Sequence, residues 1–427
     1  MSGSKARQAA ADLLIETLDN RRTLDEAMSV SETYSRMQGP DRGFARAMAS
    51  AALRQLGRID KGLAPFLSRP IQTATPPARA LLRIGAAQAW LMETPPHAVV
   101  SETVDAAKGW ARARSAAGFL NAVLRKAVTD RSHFDRTQAT AVWPDWLTVE
   151  LMTCIGVEAA AAMAEAQTVE PDLHVTPMDT GQLDDLASKL GGEILAGTSV
   201  RLPTGDVSRI EGYDSGAWWV QDVAAALPVR LLEPRPEEIV FDLCAAPGGK
   251  TMQLAAAGSR VIAIDRSAPR LERVGENLAR TGLAGRVDII NAKLEDWSPS
   301  QKADRILLDA PCSALGTLRR HPEGAWIKQP EDIARFPAVQ VRMLQKAADM
   351  LKPGGTLIYC VCTPLAREGS EVVDEVLAYG SLERMPITSG EAGEFAGGLT
   401  PRGDLVTLPN GLFGHDIFHI SRLRRKG

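Results

Sequence analysis

Residues 238–257 constrain the fold more than any other stretch of the chain. Glu238-Ile-Val-Phe-Asp-Leu243 is a short apolar run, as expected of a strand buried on both faces, and residues 252–257 read as a helix. Between them lies Asp242-Leu-Cys-Ala-Ala-Pro-Gly-Gly-Lys-Thr251. A strand that breaks into a glycine-rich turn and then a helix is where open α/β sheets hold nucleotide-like ligands. Gly248 and Gly249 let backbone approach such a ligand where a Cβ would clash.

Spacing rules out two common forms of this turn. A P-loop requires glycine five residues before its Gly-Lys-Thr, and Cys244 stands there. The dinucleotide pattern G-x-G-x-x-G does not fit Ala-Ala-Pro-Gly-Gly-Lys either. A ligand with an adenosine end and no pyrophosphate suits the shorter turn, and S-adenosylmethionine is such a ligand. An acid at the end of the next strand would hold the ribose hydroxyls, and Asp265 closes Arg260-Val-Ile-Ala-Ile-Asp265. The plainer alternative is that Asp265 only caps the following helix.

From about residue 232 strand and helix patterns alternate. Candidate strands at 239–243, 261–265, 287–291, 305–308, 356–360 and 417–423 imply a mostly parallel sheet with helices on both faces. Leu351-Lys-Pro-Gly-Gly355 reads as a turn before the fifth of them. Residues 5–130 read as all helical, with amphipathic segments at 6–18, 41–55, 77–91, 99–110 and 116–128. Leu120, Val123, Leu124 and Ala127 recur at helical spacing, and Gly39-Pro40, Pro76-Pro77 and Pro95-Pro96 punctuate the runs. Residues 141–231 mix a helix-like run to Ala166, strand-like pieces at 174–176 and 208–211, and a strand that enters a helix at Asp222. The expected organisation is an all-α domain at 1–140, a small α+β linker domain at 141–231 and an α/β domain at 232–427.

At 45% hydrophobic and 24% charged, the 427 residues suit an ordinary soluble profile. No run approaches the roughly 18 apolar residues of a membrane span, and Met-Ser-Gly-Ser-Lys lacks a signal-peptide core. Five cysteines without zinc-type spacing read as free thiols in a reducing cytoplasm, with no metal expected. Net charge is −3, but it is unevenly spread. Residues 1–140 hold 20 Lys+Arg against 13 Asp+Glu, or +7, while the remainder holds 29 against 39, or −10. A basic helical module on an acidic body fits capture of RNA by the first domain; a solvated basic face is the alternative.

Two further cysteine segments follow the turn, Asp309-Ala-Pro-Cys312 and Tyr359-Cys-Val-Cys-Thr363. Each comes at the C-terminal end of a predicted strand, where such sheets place their sites. The three segments together suggest methyl transfer with a cysteine nucleophile. Chemistry alone does not choose between Cys312 and Cys362. Cys360 and Cys154 read as buried small hydrophobes, and Cys244 as a backbone contributor to the turn.

These motifs, in this order, resemble the RNA cytosine-C5 methyltransferase family, and within it the bacterial Sun/RsmB branch. The resemblance also rests on Arg319-Arg-His-Pro-Glu323, on Gly-Gly-Thr-Leu-Ile-Tyr-Cys-Val-Cys362, and on Pro95-Pro-His-Ala-Val-Val-Ser-Glu-Thr-Val104 with Gly118-Phe-Leu-Asn-Ala-Val-Leu-Arg-Lys126, similar to a NusB-like RNA-binding domain. It implies a class I, Rossmann-like methyltransferase domain, S-adenosylmethionine as methyl donor, and 16S ribosomal RNA as substrate, typically at the cytosine of rRNA position 967. It implies cofactor contacts from Cys244, Ala245, Ala246, Pro247, Gly248, Gly249, Lys250, Asp265, Arg270, Lys293 and Asp309. It also implies Cys362 as nucleophile and Cys312 as the group assisting release, whereas DNA cytosine methyltransferases use the Pro-Cys cysteine. Three departures stand out: Val361-Cys362-Thr363 where the family has Thr-Cys-Ser, Lys293 where it has an acid for the adenine amino group, and Gly414-His-Asp-Ile-Phe418 at its closing motif.

The chemistry explains the residue types. Carbon 5 of cytosine is a poor nucleophile until a thiolate adds to carbon 6, which divides one hard step into easier ones. Lys250 would favour the thiolate, and Asp309 would hydrogen-bond the ring near nitrogen 3. Arg319, Arg320 and His321 would meet RNA phosphate, or else form a solvated loop. Trp218 and Trp219 would stack on bases, or else lie in the core. A monomer without a membrane partner is expected. A catalytically weak RNA-binding or assembly factor is the competing function. An amino-directed methyltransferase would leave the two thiols without a purpose.

Overall fold

A computed structural model of the chain describes residues 3–409 and 414–427, so Met1 and Ser2 of the signal-peptide reading lie outside the described residues. Backbone contacts divide the chain into two units, residues 1–170 with 318–329, and residues 171–317 with 330–427.

The alanine-rich segments of the first unit fold as the helices Gly3–Leu18, Gly39–Arg54, Pro76–Leu91, Pro96–Gly109 and Ala117–Thr129. Proline at the first turn starts three of them, where its missing N–H costs nothing. Leu120, Val123, Leu124 and Ala127 are all buried in one core with Leu13, Leu53 and Leu81. Outside the segments expected from the sequence, Leu56–Leu63 forms a further short helix. Asp60 on that helix receives both arms of the buried Arg83 guanidinium, at 2.9 and 2.7 Å.

Residues 141–170 pack with the helical unit rather than as part of a linker domain. The cause is a set of side-chain bonds: Trp143 Nε1 donates to Gln167 Oε1 at 2.6 Å, Gln167 Nε2 to the Arg54 carbonyl at 3.1 Å, and Gln55 Nε2 to the Thr168 carbonyl at 3.0 Å. The expected single helix is two, Asp145–Ile155 and Val157–Thr168, broken at Gly156 with φ +84°. The segment 318–329 belongs to the same unit. Its Arg319 carbonyl accepts from Arg54 at 2.6 Å, Glu323 Oε1 from the Leu24 N–H at 3.3 Å, and the Ile327 carbonyl from Arg21 at 2.8 Å.

The second unit carries two sheets. A four-stranded sheet holds β1 (Leu173–Pro177), β2 (Glu193–Leu195), β3 (Ser199–Leu202) and β4 (Trp218–Val220) in the order β2-β3-β1-β4, all antiparallel. The piece expected as a strand at 208–211 instead starts as a 3-10 turn, Val207–Arg209, with Asp206 capping it. Asp222 caps the helix Val223–Leu232, as its sequence position requires.

The larger sheet contains β5 (Ile239–Leu243), β6 (Arg260–Asp265), β7 (Val287–Asn291), β8 (Ala303–Asp309), β9 (Leu351–Val361), β10 (Leu382–Arg384), β11 (Leu405–Val406) and β12 (His419–Arg425). Its order is β10-β12-β9-β8-β5-β6-β7, with β11 pairing β12. β5 to β9 pair in parallel, and β12 turns antiparallel beside β9. The Leu351–Gly355 stretch expected as a turn is the start of β9, with a register shift opposite Ala303 and Arg305. Helices Phe336–Met350 and Ser370–Leu377 pack into one core, and Val223–Leu232 with Gly249–Ala256 into another. Leu344 is fully buried, and truncating it to Ala would cost about 2–5 kcal/mol. Because β6 and β8 flank β5, chain order reverses there, and the crevice beyond the strand ends opens at that point. No helix among the described residues is long and apolar enough to cross a membrane.

Candidate active site

The buried pattern of β5 ends at Leu243, and the chain turns through Cys244 at φ +68° and Gly248 at φ +101° into the helix Gly249–Ala256. A side chain at Gly248 would be strained by that φ and crowd Val274 Cγ1 at 3.1 Å. Asp265, at the end of β6, braces the turn from the side. Its carboxylate accepts from the Ala246 N–H at 3.2 Å and the Ser267 N–H at 2.9 Å, and Arg270 lies 3.9 Å away. Arg270 also donates to the Ala246 carbonyl. The capping alternative for Asp265 is therefore realised in part, through Ser267. A carboxylate has about four acceptor positions, so two remain for hydroxyl donors.

Asp242 is buried beneath the turn. One of its oxygens accepts from Thr251 Oγ1 at 2.5 Å, and the other has no hydrogen-bond partner among the described residues. Burial pushes its carboxyl up to about 7, against the opposing pull of the Thr251 hydroxyl. An orphaned acceptor, a free helix N-terminus and an acid on the neighbouring strand together fit a ligand with an amino and a ribose end.

β8 ends at Asp309, whose Oδ2 accepts from Lys250 Nζ at 2.7 Å. Burial pulls the Lys250 ammonium down, but Asp309 and the nearby Cys360 and Cys362 thiols hold it above its ordinary value. The ammonium also sits 4.9 Å from the Phe418 ring centre. Lys250 is thus a fixed cation at the strand ends.

The two thiols meet there. Cys312 Sγ lies 3.4 Å from Cys362 Sγ. Parallel pairing of β8 with β9 sets Asp309 opposite Cys360, and the Ala310 N–H donates to the Cys360 carbonyl at 3.0 Å. Gly316 donates to the Cys362 carbonyl at 2.9 Å, where a Cβ would collide with the Ile417 carbonyl. Ser313 Oγ and Thr363 Oγ1 close the gap at 3.0 Å. The hydrogen bond to Cys362, then burial, holds the Cys312 thiol well above its ordinary value. Cys360 is fully buried and raised by burial and by Asp309.

Other expected site residues fall elsewhere. Arg319, Arg320 and His321 lie in the segment that packs with the helical unit, and Arg319 is buried, so the three do not form one phosphate-facing surface. The His321 side chain is exposed, 3.8 Å from Glu323. Trp218 and Trp219 are both buried, with their indole N–H groups on the Glu211 carbonyl and Gln221, so neither is available for base stacking. Lys293 is exposed just beyond β7. Cys154 is half-buried on its helix, and burial raises the Cys244 thiol. Sequence reasoning missed Glu368, a buried acid six residues past Cys362 that accepts from the Ser313 N–H at 2.7 Å. No local pattern marks it; only its position after the last cysteine could have raised the question.

A family model described as 16S rRNA methyltransferase RsmB/F matches residues 229–423, and one described as NusB family matches residues 4–129. The chain is 33% identical to ribosomal RNA small subunit methyltransferase B of Pseudomonas syringae pv. tomato, covering 98% of this chain and 96% of that protein. Its identity to the protein of the same name from Xanthomonas campestris pv. campestris is 33%, with 88% of each covered. In fold it is similar to the crystal structure of PH0851, at TM-score 0.78, 20% identity and 99% coverage of both chains. NSun6 from Pyrococcus horikoshii, crystallised with SFG, matches 66% of this chain and 98% of its own at TM-score 0.55 and 19% identity.

Proposed function

The chain belongs to the 16S rRNA methyltransferase RsmB/F family, and on that premise we propose that it methylates carbon 5 of a cytosine in 16S ribosomal RNA through a covalent cysteine adduct. The observation that carries the reading is the pair of thiols 3.4 Å apart, beside the Lys250–Asp309 ion pair at the sheet's switch point.

S-adenosylmethionine would be held by residues 244–250, Asp265, Arg270 and the ends of β5 and β8, and would supply an electrophilic methyl group on a sulfonium. Lys293, donor-only, offers no acceptor to an adenine amino group. Cys362 adds as a thiolate to carbon 6 of the cytosine, beside the Lys250 ammonium that Asp309 holds at the strand ends. Cys312, hydrogen-bonded to Cys362 and raised by that bond and by burial, stays protonated at the moment of attack. Asp309 accepts a hydrogen bond from the ring edge while Lys250 holds its other oxygen. After methyl transfer a base, such as water, takes the carbon 5 proton, and the freed electron pair re-forms the carbon 5–carbon 6 double bond. The carbon 6–sulfur bond breaks to return Cys362 as a thiolate, an expulsion that Cys312 assists. The basic helical unit supplies RNA affinity through phosphate contacts, which should weaken with salt.

Bisulfite mapping of ribosomal RNA from cells with and without the protein tests the reaction. One 16S cytosine should lose protection when the protein is absent. An unchanged map would leave a binding or assembly role instead.

A further inference from the structure

Cys312 and Cys362 come from segments 50 residues apart, yet their sulfurs meet at 3.4 Å. Something must hold the Cys312 loop at that distance. The backbone groups on either side of Cys312 end on one pair of buried side chains. Glu368 Oε2 accepts from the Ser313 N–H at 2.7 Å and from Gln340 Nε2 at 3.2 Å, and Gln340 Nε2 also donates to the Pro311 carbonyl at 3.0 Å. Glu368 is itself pinned, because the Tyr359 hydroxyl on β9 donates to its carbonyl at 2.5 Å. Glu368 and Gln340 are both fully buried. A buried carboxylate is costly to keep and is a poor choice where packing alone is needed. Burial raises the Glu368 carboxyl while the Ser313 and Gln340 donors oppose that rise, and its Oε1 has no hydrogen-bond partner among the described residues.

We propose that Glu368 is a positioning residue for Cys312: with Gln340 it clamps Pro311 and Ser313 and so holds the Cys312 sulfur against Cys362 for the release step. The inference rests on the division of roles between the cysteines given above. Attack by Cys362 needs no contribution from the clamp, because Cys362 leaves β9 directly. Expulsion of Cys362 needs Cys312 in reach, and misplacement of such a group by about 1 Å can cost on the order of 100-fold.

Glu368→Ala should therefore behave as a weaker copy of Cys312→Ala. Single-turnover methylation persists, kcat falls roughly 10- to 100-fold with KM for RNA falling alongside it so that kcat/KM is kept, and a protein–RNA adduct accumulates on denaturing gels. Glu368→Gln keeps an acceptor for the Ser313 N–H and should recover most of the lost kcat. A merely structural acid would lower folded yield and thermal midpoint without trapping adduct. Should Glu368→Ala fail to fold, Gln340→Leu opens the Pro311 side of the clamp and should trap adduct to a smaller extent. If Cys312→Ala traps adduct while the folded Glu368 and Gln340 variants release RNA as the wild type does, the clamp is wrong and the cysteine roles stand. If Cys312→Ala itself traps none, both fall together.

Discussion

The glycine-rich turn after β5 and the thiol pair occupy the same end of one sheet but are built in opposite ways. The turn is a single segment between consecutive elements, braced by one acid from the next strand. The thiol pair joins residues 50 apart and depends on the β8–β9 register and a buried clamp. A local device is stiff by backbone geometry, whereas a distributed one takes its geometry from the sheet. Changes in the turn should therefore alter how tightly a ligand is held. Changes in the thiol pair should alter when covalent bonds form and break.

Cys362→Ala should have the largest effect, lowering turnover on the order of 10⁴-fold or more and abolishing the RNA adduct on denaturing gels. Cys312→Ala should methylate in the first cycle and then stall, with adduct accumulating. An adduct in Cys362→Ala and none in Cys312→Ala would reverse the two roles. Asp265→Ala should weaken S-adenosylmethionine by roughly 10- to 100-fold in calorimetry, the scale of hydrogen bonds to a charged group, without trapping adduct. Trapped adduct there would break the distinction between the two devices.

Asp242 sharpens the same comparison through stability. Its carboxyl sits at about 7 in the folded chain against an ordinary 3.8, so between those values the folded state binds the extra proton. Its contribution is fully present below the unfolded value and is lost as pH rises through about 7. Asp242→Asn should remove this fall, so the variant's thermal midpoint minus the wild type's should rise from pH 4 to pH 7. A constant difference would mean the carboxyl titrates at its ordinary value. The smallest effect is expected at exposed Lys293. Lys293→Asp should tighten S-adenosylmethionine two- to tenfold, or about 0.5–1.5 kcal/mol. No change would point to Glu295 or Asp296 at the adenine edge.

What was legible in the sequence follows the same division. The turn, Asp265 and the helices with Leu120, Val123 and Leu124 are written in consecutive or periodic residues, and they were read nearly to their ends. Both cysteines sit just past an apolar strand pattern, and that placement was legible in the sequence. Their contact was not, because strand order is no property of a local segment. Glu368 and Gln340 lie 28 residues apart on different elements and carry no pattern at all. The Arg319 segment read as a contact for RNA phosphate, or else a solvated loop, because basic pairs are usually exposed, yet tertiary packing buries Arg319. Ser208 to Glu211 alternated like a strand, but the local Asp206 cap turned its start into a 3-10 helix.

The excursion of residues 318–329 has a consequence for modularity. The polypeptide passes from one unit to the other at 170/171, at 317/318 and again at 329/330. The helical unit is therefore not a detachable appendage joined by one linker. A truncation at residue 130 or 170 would leave twelve residues of the catalytic half without the helices they fold on, only six positions past Cys312. Grafting a foreign helical domain in its place would demand that this short strap be exchanged as well. The helices and the strap that follows Cys312 in the chain are thus inherited as a single cassette.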